Sequence, residues 1–207
     1  MRISLLCAAV SGVLLASAGA AQAQVVISQV YGGGGNNGAT LKSDFIELHN
    51  NGTSTVDLSG WSVQYAATAG TSWQTTPLTG SIAPGGYYLI KQADGSGGTL
   101  DLPSPDATGT ISMASGNAKV ALVNGTGALS GACANGAVDW VGIGTANCAE
   151  GTAAPAMGNT LAIVRADNGC ADSNNNASDF STAAPAPRNS ASPVHVCGAP
   201  GAIVLTA

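Results

Sequence analysis

The sequence predicts an all-β fold, an immunoglobulin-like antiparallel β-sandwich, on three observations. Apolar and polar residues alternate with period two in runs along the whole chain. No window carries apolar residues at i, i+3, i+4 and i+7 without an interrupting Gly or Pro, so helix is expected to be essentially absent. Asn-Gly pairs, which tolerate the positive φ of tight reversals, stand between the alternating runs at Asn37-Gly38, Asn51-Gly52, Asn124-Gly125, Asn135-Gly136 and Asn168-Gly169. The composition agrees, with 29 glycines, 8% charged residues and a 45% hydrophobic fraction swollen by alanine.

In chain order, residues 1–23 read as an export leader: Arg2, an apolar run over 3–19, and the cleavage pattern Ala21-Gln22-Ala23. The run is too short and too rich in Ala, Gly and Ser to span a membrane. The expectation is a secreted, extracellular or periplasmic chain that begins near Gln24, has no membrane span, and has lost Cys7. Seven strands are expected, over 25–31, 44–50, 61–66, 87–92, 119–124, 137–143 and 160–165, a number that suits a sandwich. In the second, Ile46 and Leu48 point to one face and Glu47 and His49 to the other; in the third, Trp61, Val63 and Tyr65 share a face. One side of this sheet is expected to be core and the other wet. After Arg165 the composition shifts to Asp, Asn, Pro and Ala. Residues 166–207 are read as an irregular extension of the sandwich domain 24–165, lying over it because such a segment has too little apolar surface to order itself.

Charge and cysteine content narrow the functional classes. Without Arg2 the chain keeps five basic and eleven acidic side chains, a charge of −6, and Lys42, Lys91, Lys119, Arg165 and Arg188 stand singly. That is a poor match for nucleic acid, whose binding relies on clustered cations over phosphates. Cys133, Cys148, Cys170 and Cys197 make an even set without a C-x-x-C pair, so disulfides are expected rather than zinc or thiol exchange. Three pairings are open. The favoured one joins Cys133 to Cys148 and Cys170 to Cys197, because each closes a short loop in the half poorest in strand signals, worth roughly 3 kcal/mol apiece.

Few residues offer chemistry. The run YGGGGNNGAT lacks the Gly-Lys-Ser/Thr ending and the following helix of a phosphate cradle, and is read as an inter-strand loop or bulge. His49 and Glu47 share a strand face, but no third ligand, H-E-x-x-H or G-x-S-x-G accompanies them, so a surface pair is expected. Asp172, Asn174 and Asn176 take the first, third and fifth positions of a calcium loop, with Asp179 close behind. Ala177 replaces its turn glycine and Ala183 its final glutamate, which leaves calcium a weak candidate against a solvated Asx-rich turn. No other cofactor is expected. The acceptor patterns at Asn51, Asn124 and Asn176 are attributed to chance.

Four stretches carry a family resemblance: ISQVYGGGGNNG from Ile27, DFIELHN from Asp44, LSGWSV from Leu58 and IAPGGYYLI from Ile82. In order and spacing they resemble the lamin-tail domain of exported bacterial proteins, over roughly 25–165, and the tail ending in Pro187-Arg188-Asn189 resembles the segment C-terminal to this domain in such proteins. The resemblance implies an immunoglobulin-like sandwich used as a non-catalytic module. In bacteria such domains are often attached to extracellular nucleases or phosphatases, for which this length leaves no room. The expectation is therefore an exported binding or structural module, not an enzyme, at the cell surface or outside the cell, with a protein or glycan partner. The alternatives are a nuclease or phosphatase, or an accessory to one, and a carbohydrate-binding or adhesive module using Trp73 or Tyr88.

Overall fold

The structure is a computed structural model and describes residues 24–198; the expected leader lies outside the described residues. Its twelve strands are β1 (Val25–Tyr31), β2 (Ser43–Asn50), β3 (Val56–Asp57), β4 (Ser62–Ala67), β5 (Gln74–Pro77), β6 (Ser81–Ile82), β7 (Tyr87–Asp94), β8 (Ala107–Thr108), β9 (Ala118–Val123), β10 (Asp139–Ile143), β11 (Ala162–Arg165) and β12 (Phe180–Ala183). One α turn, α1 (Asn176–Asp179), and a 3-10 turn at Asp167–Gly169 complete the set. No helix among the described residues is long and apolar enough to cross a membrane.

Two sheets face each other. The larger runs β12-β11-β1-β2-β7-β8, the smaller β10-β9-β4-β5, and β3 pairs with β6 beside them. All neighbours are antiparallel except β7 and β8. Between the sheets, Ile46, Leu48, Val30, Tyr88, Ile90 and Ile163 of one meet Val63, Tyr65, Val120, Leu122 and Val141 of the other, which is what the alternation in β2 and β4 requires. Each fully buried aliphatic side chain stabilises this layer by roughly 1.5–3 kcal/mol.

The strands that the alternation does not announce are short or polar. β5, with sequence QTTP, is an edge strand that ends on Pro77, where a missing N–H is tolerated. β12 is a polar edge strand supplied by the segment after Arg165, which thus enters the large sheet and does more than cover it.

The glycine run after β1 has a packing cause. A Cβ on Gly34 would overlap the Ser43 carbonyl, and Gly35 lies at φ +68° against Gly95. Backbones touch here, so only glycine fits. Inside the turn, Gly34 N–H donates to Asp44 Oδ1 at 2.9 Å and Met113 N–H to Asp44 Oδ2 at 2.8 Å. Burial pushes the Asp44 carboxyl up to about 7.

The expectation of a wet outer face fails. All eight residues of β2 are buried, and Glu47 and His49 have no exposed surface. A second apolar cluster of Tyr31, Leu41, Phe45, Leu89 and Ala162 covers one part of that face. The segment 184–197 crosses the rest as a strap, whose end is bonded through Cys170–Cys197; Cys133 is bonded to Cys148.

Candidate functional site

The polar residues gather in two clusters, both organised by the segment after β11. The first lies beneath the strap. Register places Glu47 opposite Gln29 on β1, and His49 opposite Tyr87 on β7, so the three strands present these groups outward together. Gln29 exchanges two bonds with the Ala186 backbone: its Nε2 donates to the carbonyl at 3.0 Å and its Oε1 accepts from the N–H at 2.9 Å. Arg188 donates to Glu47 through its backbone N–H (2.6 Å) and through Nη2 (2.8 Å), while Ser28 Oγ donates to the same carboxylate at 2.6 Å. The Arg188 guanidinium also stacks 3.7 Å from the Tyr87 ring centroid, and Nη1 donates to the Tyr87 hydroxyl at 2.7 Å. His49 Nδ1 lies 2.6 Å from Asn51 Oδ1 and Nε2 lies 2.9 Å from the His195 carbonyl oxygen. Burial holds the imidazole below its ordinary pKa.

An acid–base pair on paper is thus a closed network. Every Glu47 and His49 polar side-chain atom has a partner, and Glu47 carries a fixed guanidinium. The expected surface pair is buried and structural.

The second cluster explains the Asp/Asn-rich stretch. β1 carries a bulge between Ile27 and Gln29, and pairs with β11 only at Gln29 and Val30. The N–H and C=O of Ile27 are left to side chains: Asp139 Oδ2 accepts the N–H at 2.6 Å and Arg165 Nε donates to the carbonyl at 2.8 Å. Arg165 is fully buried, forks onto both Asp139 oxygens at 3.0 and 2.9 Å, and has Asp172 Oδ1 at 3.3 Å and Asp179 Oδ2 at 3.6 Å. Phe180 lies over its other side, 4.6 Å from ring centroid to guanidinium carbon. Burial pushes Asp139 up to about 6 against the pull of Arg165, and Glu150 up to about 7.

Of the four residues considered for calcium, Asp172 and Asp179 thus face Arg165. Asp179 also accepts from the N–H and Oγ of Ser173. Asn174 sits at the turn with φ +55°, its N–H 3.4 Å from Asp172 Oδ1. Asn176 accepts from the N–H groups of Gly142 and Glu150 and donates to the Trp140 carbonyl, tying α1 to β10. The positive charge these carboxylates surround is a guanidinium.

The residues considered for glycan stacking are interior. Trp73 is 5% exposed and donates Nε1–H to the Gly131 carbonyl; Tyr88 is 3% exposed and donates to the Thr79 carbonyl. What does open to solvent is a groove of about 690 Å³ between the strap and the large sheet, walled by Leu41, Leu100, Pro103, Val164 and the 183–188 backbone. Leu100, on its rim, is 56% exposed.

Sequence reasoning missed Arg165, Arg188, Asp139, Tyr87 and His195 as cluster members. One signal was present: in a chain so poor in charge, Arg165 closes an apolar strand run and Asp139 opens another, and a charge in a core strand requires a partner.

Comparison with known proteins agrees with the fold. A family model described as Lamin Tail Domain matches residues 18–145. A solved structure of a DUF4876 family protein from Bacteroides thetaiotaomicron is similar in fold, with a TM-score of 0.57 at 15% identity, over 84% of this chain and 75% of that one. No curated protein is significantly similar to the chain.

Proposed function

This chain belongs to the lamin tail domain family, and on that premise we propose that it is an exported, non-catalytic binding or structural module. One observation carries the reading: among the described residues, the side chains that most resemble an acid–base pair, Glu47 and His49, are sealed under the strap with every polar atom engaged. A general base must reach the proton it removes, and neither group reaches solvent. Two disulfides fit an oxidising compartment. The open groove beside the strap supplies an apolar surface with a few polar atoms at its edge, which is the make-up of a recognition site.

Purified protein is expected to turn over neither duplex DNA nor a phosphomonoester. Leu100→Asp, on the groove rim, is expected to keep the fold and weaken binding of a protein or glycan partner. Turnover that disappears in His49→Ala overturns the proposal.

A further inference from the structure

The disulfide that ends the strap sits inside a set of nitrogen and oxygen donors. Ligand atoms of His49, Cys170 and Cys197 all lie within 4.8 Å of one another, and so do those of Asp167, Cys170 and His195. The two groups share Cys170. The His49 and His195 ring centroids are 6.4 Å apart, and His195 Nε2 is 3.6 Å from Asp167 Oδ1.

The backbone is shaped to bring these residues together. Gly169 lies at φ +110°, and a Cβ there would come within 2.9 Å of His49 Cβ and Cγ and 3.0 Å of Nδ1. The chain crosses the imidazole at a position where only glycine fits, and delivers Cys170 beside it. On the other side, His195 is fixed at its backbone: its N–H donates to the Gly85 carbonyl at 2.8 Å, and its carbonyl faces His49 Nε2. His49 Nε2 rests on a backbone carbonyl, as the far nitrogen of a metal-binding histidine does, and Nδ1, now 2.6 Å from Asn51 Oδ1, would exchange that contact for a metal.

We propose that, with the Cys170–Cys197 bond reduced, Cys170, Cys197, His49 and His195 form a site for a zinc-like divalent transition metal, with Asp167 at its rim. Two sulfur and two nitrogen donors suit a tetrahedral borderline-soft cation and exclude calcium and magnesium, which require oxygen. The chemistry balances with a dithiol as reductant. It transfers two electrons and two protons to the disulfide, the S–S bond breaks into two thiols, and the dithiol closes to its own disulfide. Metal capture then releases both thiol protons to solvent, and the metal keeps its oxidation state. The strap therefore has two closures, a covalent one under oxidising conditions and a metal clip under reducing ones. The metal clip is independent of the proposed function.

The test uses the full chain with Cys7→Ser, Cys133→Ser and Cys148→Ser, so that Cys170 and Cys197 are the one cysteine pair that remains. A trialkylphosphine reduces it, taking its oxygen from water to become the phosphine oxide and leaving no thiol to compete for metal. Cobalt(II) is then titrated without oxygen. The expected result is one cobalt per chain with the visible bands of tetrahedral thiolate coordination, displaced by zinc, and no such bands before reduction. His195→Ala, at a half-buried position, is expected to weaken cobalt binding at least about tenfold, and Cys197→Ser to abolish the bands. Zinc is expected to raise the melting temperature of the reduced chain and leave that of the oxidised chain unchanged. Absence of the bands after reduction, or bands of undiminished affinity in His195→Ala, overturns the proposal.

Discussion

Arg165 and Arg188 are built from the same chemistry and placed in opposite surroundings. Each forks onto carboxylate and each lies over an aromatic ring. Arg165, however, has no exposed surface and meets three aspartates where β1, β10, β11 and α1 converge, whereas the Arg188 side chain is 22% exposed and clasps a strap onto a finished sheet. Burial, more than partner identity, decides what each ion pair does. A sealed pair enforces one arrangement of the elements around it, because removing one member strands uncompensated charge; a rim pair adds attachment.

Breaking the sealed pair has the largest expected effect. Arg165→Met leaves Asp139, Asp172 and Asp179 facing one another and is expected to lower stability by about 3–5 kcal/mol in urea unfolding. A loss no greater than that of the Arg188 variant would end the distinction between the two clusters. Next comes the strap's covalent end. Replacing Cys170 and Cys197 together by Ser opens a loop with sequence separation 27 and is expected to cost about 3 kcal/mol. Arg188→Met is expected to cost less, about 1–3 kcal/mol, for the stranded Glu47 carboxylate. Its signature is local. Exchange of the Ala186 and Arg188 amides should quicken while amides of β1, β2 and β11 stay protected.

The smallest effect is on pH dependence, and there the clusters oppose each other. Asp139 and Glu150, raised to about 6 and about 7, hold protons in the folded chain that they release near their ordinary values when unfolded. Their stabilisation is complete below the unfolded values and is lost as pH rises through the folded ones; Asp44, raised to about 7, acts in the same direction. His49 is lowered, so its contribution is present above its ordinary value and is lost as pH falls. Glu150→Gln is expected to flatten the decline in melting temperature between pH 5 and about pH 8, and His49→Gln to steepen it by removing the opposing slope. A profile unchanged in Glu150→Gln would show that this carboxyl does not retain its proton on folding.

The sandwich was legible because its signals are local. Alternation in residues 25–31 coincides with β1, and that in 44–50 falls one residue short of β2. Glycine and asparagine mark the reversals, as at Gly136, φ +87°. β12 escaped because Phe-Ser-Thr-Ala at a sheet edge carries no period-two contrast, and becomes a strand only when β11 offers its free edge. Glu47 and His49 escaped for a different reason. Alternation states that two faces differ, not what covers the second one.

By itself, the sequence determined the all-β class, the inward set of Ile46, Leu48, Val63 and Tyr65, and the family resemblance, since each rests on residues a few positions apart along the chain. Tertiary structure alone decided that Arg188 would meet Glu47 across 141 positions and Arg165 would meet Asp139 across 26. Such pairs have no period to betray them. They form where folded surfaces leave buried backbone groups and charges unsatisfied, and a charge removed from water finds its partner in space.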